Sequence, residues 1–375
     1  MQPPVRLQVL HAQLEARQRF SRMRGAERDR VEKLVQDAIA LIHRHPVKAR
    51  GMLLVAERHA ARLNHLAALS RCLTQLAWLD VTDGQLASGL QRATNAKVYA
   101  RVLDSWPLQA AAEYVVAMIN SQIGDYAEAD RWFHHLIDSA AKHGDVIRCA
   151  DYRLSLAEIR RTQGRPREAI ALLWESYAAY TSQQDTNTTF ALNNLALAYG
   201  AIGEHDRALA LTEQSITEAG DAVPMLKANF VHTKAEMHLK RGELAESRAC
   251  LAQCEAAIGT RMMPALFKVY VLTSTGDLRM AEGDLESAIM SLSQALKLAT
   301  HLHAYSDQRA VHERLVKAYT LAGNPAAAGK VERRIRRLSD LQEAKLTRQR
   351  AAIDKIRADV NLMLGVTASP AASGI

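Results

Sequence analysis

A repeat of about 40 residues constrains the fold of this chain more than any other feature of its sequence. A glycine, followed five residues later by alanine or serine, begins the segments GDYAEA, GRPREA, GEHDRA, GELAES, GDLESA and GNPAAA at residues 124, 164, 203, 242, 283 and 323. Two weaker copies, RHPVKA at residue 44 and GQLASG at residue 84, extend the series to eight. All intervals are 39 to 41 residues, so the sequence predicts an array of eight similar units.

Each unit has the local pattern of a helical hairpin. The glycine permits the left-handed backbone that ends a first helix, and the Asp, Glu or Asn that often follows it can cap a second helix. The small residue lies where the second helix crosses the first, because a larger side chain would push the helix axes apart. Before Gly203, the residues Leu192, Leu195, Ala196 and Tyr199 follow the three- and four-residue spacing of one apolar helix face.

Composition favours an all-α chain without a membrane span. Hydrophobic residues make up 48% of the sequence but aromatic residues only 5%, which suits close-packed helices better than a β-sheet. No apolar run reaches membrane-spanning length, and the N-terminus lacks the apolar block of a secretory signal. The four cysteines are scattered, so we expect reduced thiols and a cytoplasmic protein.

The repeated unit resembles the tetratricopeptide repeat (TPR). The helix, the Gly-Asp/Glu-x-x-x-Ala turn and the second helix carry this resemblance, and LNNLALAYGAIGEHDRAL is similar to the long-period variety found in kinesin light chains and many bacterial signalling proteins. The resemblance covers about residues 30–335. It implies a right-handed α-α superhelix, a TPR solenoid of about eight helical hairpins, followed by a long C-terminal helix.

The predicted organisation has four parts. A capping helix precedes the array, a basic coiled-coil-like helix follows it, and the end of the chain is too small and polar to fold. Weak copies open the array and strong copies continue it. The corresponding ranges are 1–29 for the cap, 30–335 for the array (weak copies 30–105, strong copies 106–330), 336–364 for the C-terminal helix and 365–375 for the disordered tail.

The resemblance also implies a binding surface. In such repeats the first helix of each hairpin lines a concave groove in which peptides or partner proteins lie. Helical spacing gives this groove a polar floor with an acidic bias, and neighbouring asparagines can hold an extended peptide backbone. The alternatives are a solvated polar face, or asparagines that cap or cross-link helices. The predicted groove residues are Ser155, Glu158, Asn193, Asn194, Leu197, His232, Thr233, Glu236, Ser274 and Asp277.

No pattern in the sequence indicates catalysis, a metal or a cofactor. A phosphate-cradling loop, a Gly-x-Ser-x-Gly elbow and a His-Glu-x-x-His motif are all missing. Cys250 and Cys254 lie one helical turn apart, but the paired spacing of a zinc site is not present. We therefore expect a non-enzymatic protein without cofactor or metal.

The C-terminal helix carries an apolar seam. The seam residues follow one another in alternating steps of three and four residues, as in a short coiled coil. This spacing predicts a homodimer formed through the helix. The alternatives are a solvated cap, packing on the chain's own array, or a helix that awaits an output domain. The predicted seam residues are Leu346, Ile353, Ile356, Val360 and Met363.

These features predict a bacterial TPR adaptor or regulatory protein that binds a peptide or partner protein in its groove. Bacterial origin is inferred from the richness in Arg and Ala. One alternative rests on the resemblance of long-period arrays that end in a basic coiled helix to the sensory halves of diguanylate cyclases, adenylate cyclases and histidine kinases. Since no output domain follows Leu364 in this sequence, the expectation is then a detached or truncated sensory module. A second is a peptide-pheromone receptor resembling the Rap phosphatases. Nucleic-acid binding is not expected, since the first copy is preceded by too few residues for a helix-turn-helix with its supporting helices.

Overall fold

The structure is a computed structural model that describes residues 25–42, 45–220, 224–259, 264–302 and 304–363. Most of the predicted capping helix in residues 1–29 lies outside these ranges, and the predicted tail in residues 365–375 lies wholly outside them.

Within the described ranges the chain forms sixteen helices and no strand, which confirms the all-α prediction. They follow one another as eight helical hairpins. The helices are α1 (residues 25–41), α2 (Pro46–Arg62), α3 (Leu66–Thr82), α4 (Leu86–Val102), α5 (Trp106–Ile123), α6 (Tyr126–Lys142), α7 (Val146–Thr162), α8 (Pro166–Ser182), α9 (Thr188–Ala201), α10 (His205–Ala219), α11 (Pro224–Arg241), α12 (Leu244–Gly259), α13 (Ala265–Ala281), α14 (Leu285–His301), α15 (Tyr305–Leu321) and α16 (Pro325–Met363).

Helix length explains the long period of the repeat. Most of these helices have 17 residues, as α3 and α4 do, and most of the turns between them have three. Two such helices with two such turns fill one 40-residue period. The residues in excess of the usual ~34-residue TPR unit therefore lengthen the helices.

Two series of left-handed residues set the turns. The anchor glycines Gly84, Gly124, Gly164, Gly203, Gly242, Gly283 and Gly323 have φ between 66° and 85°, as predicted. A second series, missed in the sequence, ends the second helix of four hairpins at Asn64, Asp104, Gly144 and Gln184, with φ between 47° and 69°. Gly, Asn and Asp tolerate this region better than other residues, so the local sequence favours the second turn at Asn64, Asp104 and Gly144, whereas Gln184 has no such preference.

Small residues occupy the helix crossings, as predicted. Ala169, Ala208 and Ala288 are each fully buried. In the second copy glycine takes this position: a Cβ added to Gly89 would lie 3.2 Å from the carbonyl oxygen of Ala77. The two helices of that hairpin therefore approach too closely for even an alanine without some adjustment.

The chain divides into two compact units. The first comprises residues Met1–Trp132 together with Leu346–Ile375, and the second comprises Phe133–Lys345. Helix α16 thus contributes its first part to the second unit and the part from Leu346 onward to the first. The predicted boundaries at residues 30, 106 and 336 follow the repeat pattern and stay predictions.

No helix in the described part of the chain is both long and apolar enough to cross a membrane.

Candidate functional site

The first helices of the hairpins form a row in the second unit. Helices α7, α9, α11, α13 and α15 each contact the next member of this series. Among the described residues of this unit, the closest contacts between alternate helices run along this odd-numbered series, and we call the side that these helices form the inner face. All ten predicted groove residues lie on these helices: Ser155 and Glu158 on α7, Asn193, Asn194 and Leu197 on α9, His232, Thr233 and Glu236 on α11, and Ser274 and Asp277 on α13.

A pocket of about 180 Å³ opens between α11, α13 and α15. It brings together three predicted residues, His232, Glu236 and Ser274. The remaining lining residues are Val269, Tyr270, Thr273, Asp307, Ala310, Val311 and Arg314. We call this pocket the groove pocket; it draws side chains from three successive hairpins.

One wall of the groove pocket is a buried imidazole. His232 Nε2 and Ser274 Oγ share a hydrogen bond of 3.0 Å between α11 and α13, and both residues are buried. The His232 ring centroid lies 5.9 Å from that of Phe267 and 6.4 Å from that of Tyr270. The hydrogen bond and these two ring contacts hold the imidazole in place, so this wall is formed before any ligand binds.

The other side of the groove pocket is charged. Arg314 Nε donates a hydrogen bond of 2.7 Å to Asp277 Oδ2, which connects α15 with α13. Burial raises the pKa of Asp277 above the ordinary value of 3.8, while Arg314 lowers it and the nearby Glu236 carboxylate raises it. Glu236 and Asp307 line the pocket, and Asp277 lies beside it. Three carboxyl groups thus accompany one guanidinium, that of Arg314.

Tyr270 supplies an aromatic surface at the opening of the groove pocket. Its side chain is 38% exposed although its neighbours on α13 are buried. Burial, with a smaller contribution from the Asp307 carboxylate, raises the pKa of its phenol to about 12. The phenol is therefore neutral at physiological pH and offers a ring face and a hydroxyl to a ligand.

On α7 an arginine partly neutralises the predicted groove carboxylate Glu158. Glu158 accepts two hydrogen bonds from Arg161, of 2.8 Å from Nε and 2.6 Å from Nη2. These bonds are the largest cause of a raised pKa for Arg161, to which Glu236 also contributes. Ser155 Oγ donates to the carbonyl of Asp151 in its own helix. The predicted acidic bias is thus concentrated around the groove pocket.

The predicted asparagine pair lies on α9 outside the groove pocket. Asn194 Nδ2 donates a 2.9 Å hydrogen bond to the carbonyl oxygen of Phe190 in the same helix, so this bond does not cross-link helices. The Oδ1 atom of Asn193 is buried without a hydrogen-bond partner among the described residues. An unpaired buried acceptor is costly, and a ligand N–H group is one group that can satisfy it. Leu197 is half-buried beside them, and Thr233 is buried.

Sequence reasoning missed Tyr270, Asp307 and Arg314. The signal for Arg314 was present, because it precedes Gly323 by nine residues, as Ser274 precedes Gly283 and Asn194 precedes Gly203. Applying the same nine-residue offset to the next repeat identifies Arg314. Tyr270 lies one helical turn before Ser274 and could have been found in the same way.

The structure places the predicted seam within the chain. Ile353 is fully buried in the core of the first unit, and Leu346 and Ile356 pack against the same cluster. The side chains of Val360 and Met363 lie outside those described. Packing on the chain's own array therefore accounts for the three described residues, and the homodimer stays a prediction.

The four cysteines are free and buried. Burial raises the pKa of the Cys72 and Cys254 thiols to about 12, so both are protonated at neutral pH and poorly nucleophilic. No group of three or more His, Cys, Asp or Glu side chains in the described part of the chain is arranged to hold a metal ion.

Comparison with solved structures finds the same fold in several proteins. A Rap protein complexed with Competence and Sporulation Factor aligns with a TM-score of 0.61 and 11% identity, covering 86% of this chain and 99% of the other. The apo form of the quorum sensor NprR from B. thuringiensis aligns at 0.61 and 12%, covering 88% and 95%. A tetratricopeptide repeat protein from Parabacteroides merdae aligns at 0.51 and 15%, covering 77% and 98%.

No protein-family model matches the sequence, and no curated protein matches it. The structural likenesses nevertheless show the fold class: an all-α helical-repeat superhelix of the tetratricopeptide type, as the sequence predicted.

Proposed function

We propose that the chain is a non-enzymatic adaptor or regulator that binds a peptide, or an extended segment of a partner protein, along the inner face of α7 to α15. The groove pocket carries this proposal, because it joins a fixed imidazole wall, an exposed aromatic ring and a cluster of carboxylates across three hairpins. Its volume of about 180 Å³ is below the ~300 Å³ typical of pockets that enclose whole small molecules. It suits one side chain of a larger ligand.

The charge of the groove pocket favours a cationic group. Glu236 and Asp307 line it, and Asp277 lies beside it with a pKa raised by burial. A Lys or Arg side chain, or a peptide amino terminus, would reduce the cost of holding these carboxylates away from water. Tyr270 can contact the same cation through its ring face.

A receptor for a signalling peptide is the second candidate. Its support is the likeness in fold to a Rap protein in complex with Competence and Sporulation Factor and to a quorum sensor. Both candidates use the same inner face, and both act in the cytoplasm.

An array of short peptides that differ only in a central Arg, Gln or Glu tests the preference for a cation. We expect Arg to bind best at neutral pH, with the difference reduced in Glu236→Gln, which removes one carboxylate and keeps the side-chain size. Glu255→Gln makes the same change at an exposed position on α12 and is the matched control. Equal binding of the three peptides, or a preference for Glu, would contradict the proposed ligand chemistry.

Binding of the Arg peptide should also weaken as the pH falls towards 3.8. The pKa of Asp277 is raised in the folded chain, so the contribution of this group to the free energy of unfolding falls as pH rises through that raised value. A bound cation favours the charged carboxylate, so affinity should rise with pH in the same window. Titration calorimetry on wild type and Asp277→Asn should show a shallower pH dependence in the variant.

A further inference from the structure

Residues 346–357 of α16, which we call the C-terminal segment, pack in the first unit in the manner of a bound helical ligand. Ile353 is 0% solvent-accessible and lies in a cluster with residues of α3, α4 and α5. Leu346 and Ile356 pack against the same cluster. Its buried members on the receiving side are Ala77, Val81, Leu86, Leu90, Ala93, Val115, Ile119 and Ile123.

The polar side chains of the C-terminal segment form hydrogen bonds with backbone groups at the ends of α4 and α5. Gln349 Oε1 accepts a 2.9 Å hydrogen bond from the backbone N–H of Ala87, in the first turn of α4. Arg350 Nε donates a 2.8 Å bond to the carbonyl oxygen of Ile123, the last residue of α5. Helices leave such groups without partners of their own, and a cation at a helix C-terminus is favourable.

A third polar contact lies one helical turn beyond Ile353. Arg357 donates to the side-chain oxygen of Asn120 and lies 3.6 Å from Asp125 Oδ2. The contacts therefore recur along one helix face, at Leu346, Gln349, Arg350, Ile353, Ile356 and Arg357. Polar contacts before and after the buried Ile353, together with the apolar contacts of Leu346 and Ile356, define a specific docking surface on α3 to α5.

The donor and the receiver are far apart in the sequence. Arg350 and Ile123 are separated by 227 residues, and α16 runs 18 residues past Lys345 as one continuous helix. At ~1.5 Å per residue this arm is about 27 Å long. Every copy of the chain carries both the segment and the surface that binds it, and contacts made within one chain can then be made between two.

We propose that the C-terminal segment is exchangeable: helices α3 to α5 of one copy accept residues 346–357 of a second copy. The two chains then form a dimer that uses the contacts of the closed chain. This proposal is independent of the groove pocket, which lies in the second unit and shares none of these residues.

The closed segment competes with any segment offered from outside. Apparent affinity for an added peptide falls in proportion to the fraction of chains whose docking surface is open. Releasing the chain's own segment should therefore raise the affinity for that peptide, and should do so without a change in the peptide.

The first test adds a synthetic peptide of residues 341–363 to the full-length chain. Ile353→Asp should release the internal segment, so this variant should bind the peptide at least about tenfold more tightly than wild type does. Ala352→Asp places the same charge at an exposed neighbouring position and should behave as wild type. A peptide that itself carries Ile353→Asp should not bind. A folded Ile353→Asp chain that fails to bind the wild-type peptide would overturn the proposal.

The second test measures mass by sedimentation over a wide range of concentration. Wild type and Ala352→Asp should form dimers as concentration rises, and Ile353→Asp should stay monomeric. Dimers that persist in Ile353→Asp, or a wild type that never dimerises, would contradict exchange. If circular dichroism shows that Ile353→Asp does not fold, the Gln349→Ala/Arg350→Ala variant replaces it in both tests, because it removes two polar contacts without burying a charge.

Discussion

Replacing Ala208 with Leu should lower the free energy of unfolding of the second unit by about 1–3 kcal/mol. Ala208 is fully buried where α10 crosses α9, in a cluster with Leu192, Leu195 and Tyr199. Extra methylene groups at this point must either separate the two helices or force neighbouring side chains out of their preferred rotamers. The same position is small in the other hairpins, so the result tests the repeat as a whole.

Ala210→Leu is the matched control for this prediction. Ala210 is exposed on the same helix, two residues away, and the change should alter stability by less than about 0.5 kcal/mol. Urea unfolding followed by circular dichroism measures both variants. If the two substitutions cost the same, helix crossing does not explain the small residue in each repeat.

Replacing Tyr270 with Ala should weaken ligand binding by about 2–4 kcal/mol, because well-placed Tyr side chains are frequent hot spots of recognition. Tyr270 stands at the opening of the groove pocket against the His232 ring, and its exposed part offers an aromatic face beside the carboxylates. The rest of the fold should be retained, since the side chain is 38% exposed. Titration calorimetry with the strongest peptide from the array gives the value.

Tyr126→Ala controls for the loss of an exposed tyrosine. Tyr126 is 48% exposed at the start of α6, a second helix of its hairpin, and its loss should leave peptide affinity unchanged. Equal losses in both variants would indicate a general effect on the fold, and an unaffected Tyr270→Ala would remove the groove pocket from the binding surface.

The sequence predicted the hairpins because local chemistry encodes them. Gly203 with its left-handed backbone and Ala208 at the crossing repeat every 39 to 41 residues, so neither depends on distant contacts to be recognised. The second turn escaped notice because several residue types serve there: Asn64, Asp104 and Gln184 all adopt positive φ. A position filled by different side chains leaves a weaker pattern.

Helical spacing could predict which residues of the first helices share a face, but not the contacts between neighbouring repeats. Helical spacing placed His232, Glu236 and Ser274 on one face, and the structure brings them into one pocket. Spacing within a helix could not show that Asp277 pairs with Arg314, 37 residues away on the next first helix. Partners across repeats depend on how neighbouring helices approach each other.

The C-terminal helix shows the same limit more clearly. Its three- and four-residue steps predicted an apolar face, and Ile353 of that face is buried in a hydrophobic cluster. Periodicity identifies the apolar face of a helix but not the surface that covers this face. A second copy of the helix and the chain's own α3 to α5 are both compatible with the same pattern. The partner in the structure is more than 200 residues away, beyond the reach of any local pattern.

Site-specific photo-crosslinking shows whether a partner binds along the first helices of the hairpins, because it captures the bound partner at a chosen position on the surface whatever that partner is. A photoreactive phenylalanine analogue replaces Leu197 on the inner face of α9 or, as the control, Ala210 on the exposed face of α10. After irradiation in the host cell, we expect a crosslinked adduct from position 197 and none from position 210. An adduct from position 210 with none from position 197 would show that the partner binds elsewhere and would contradict the groove.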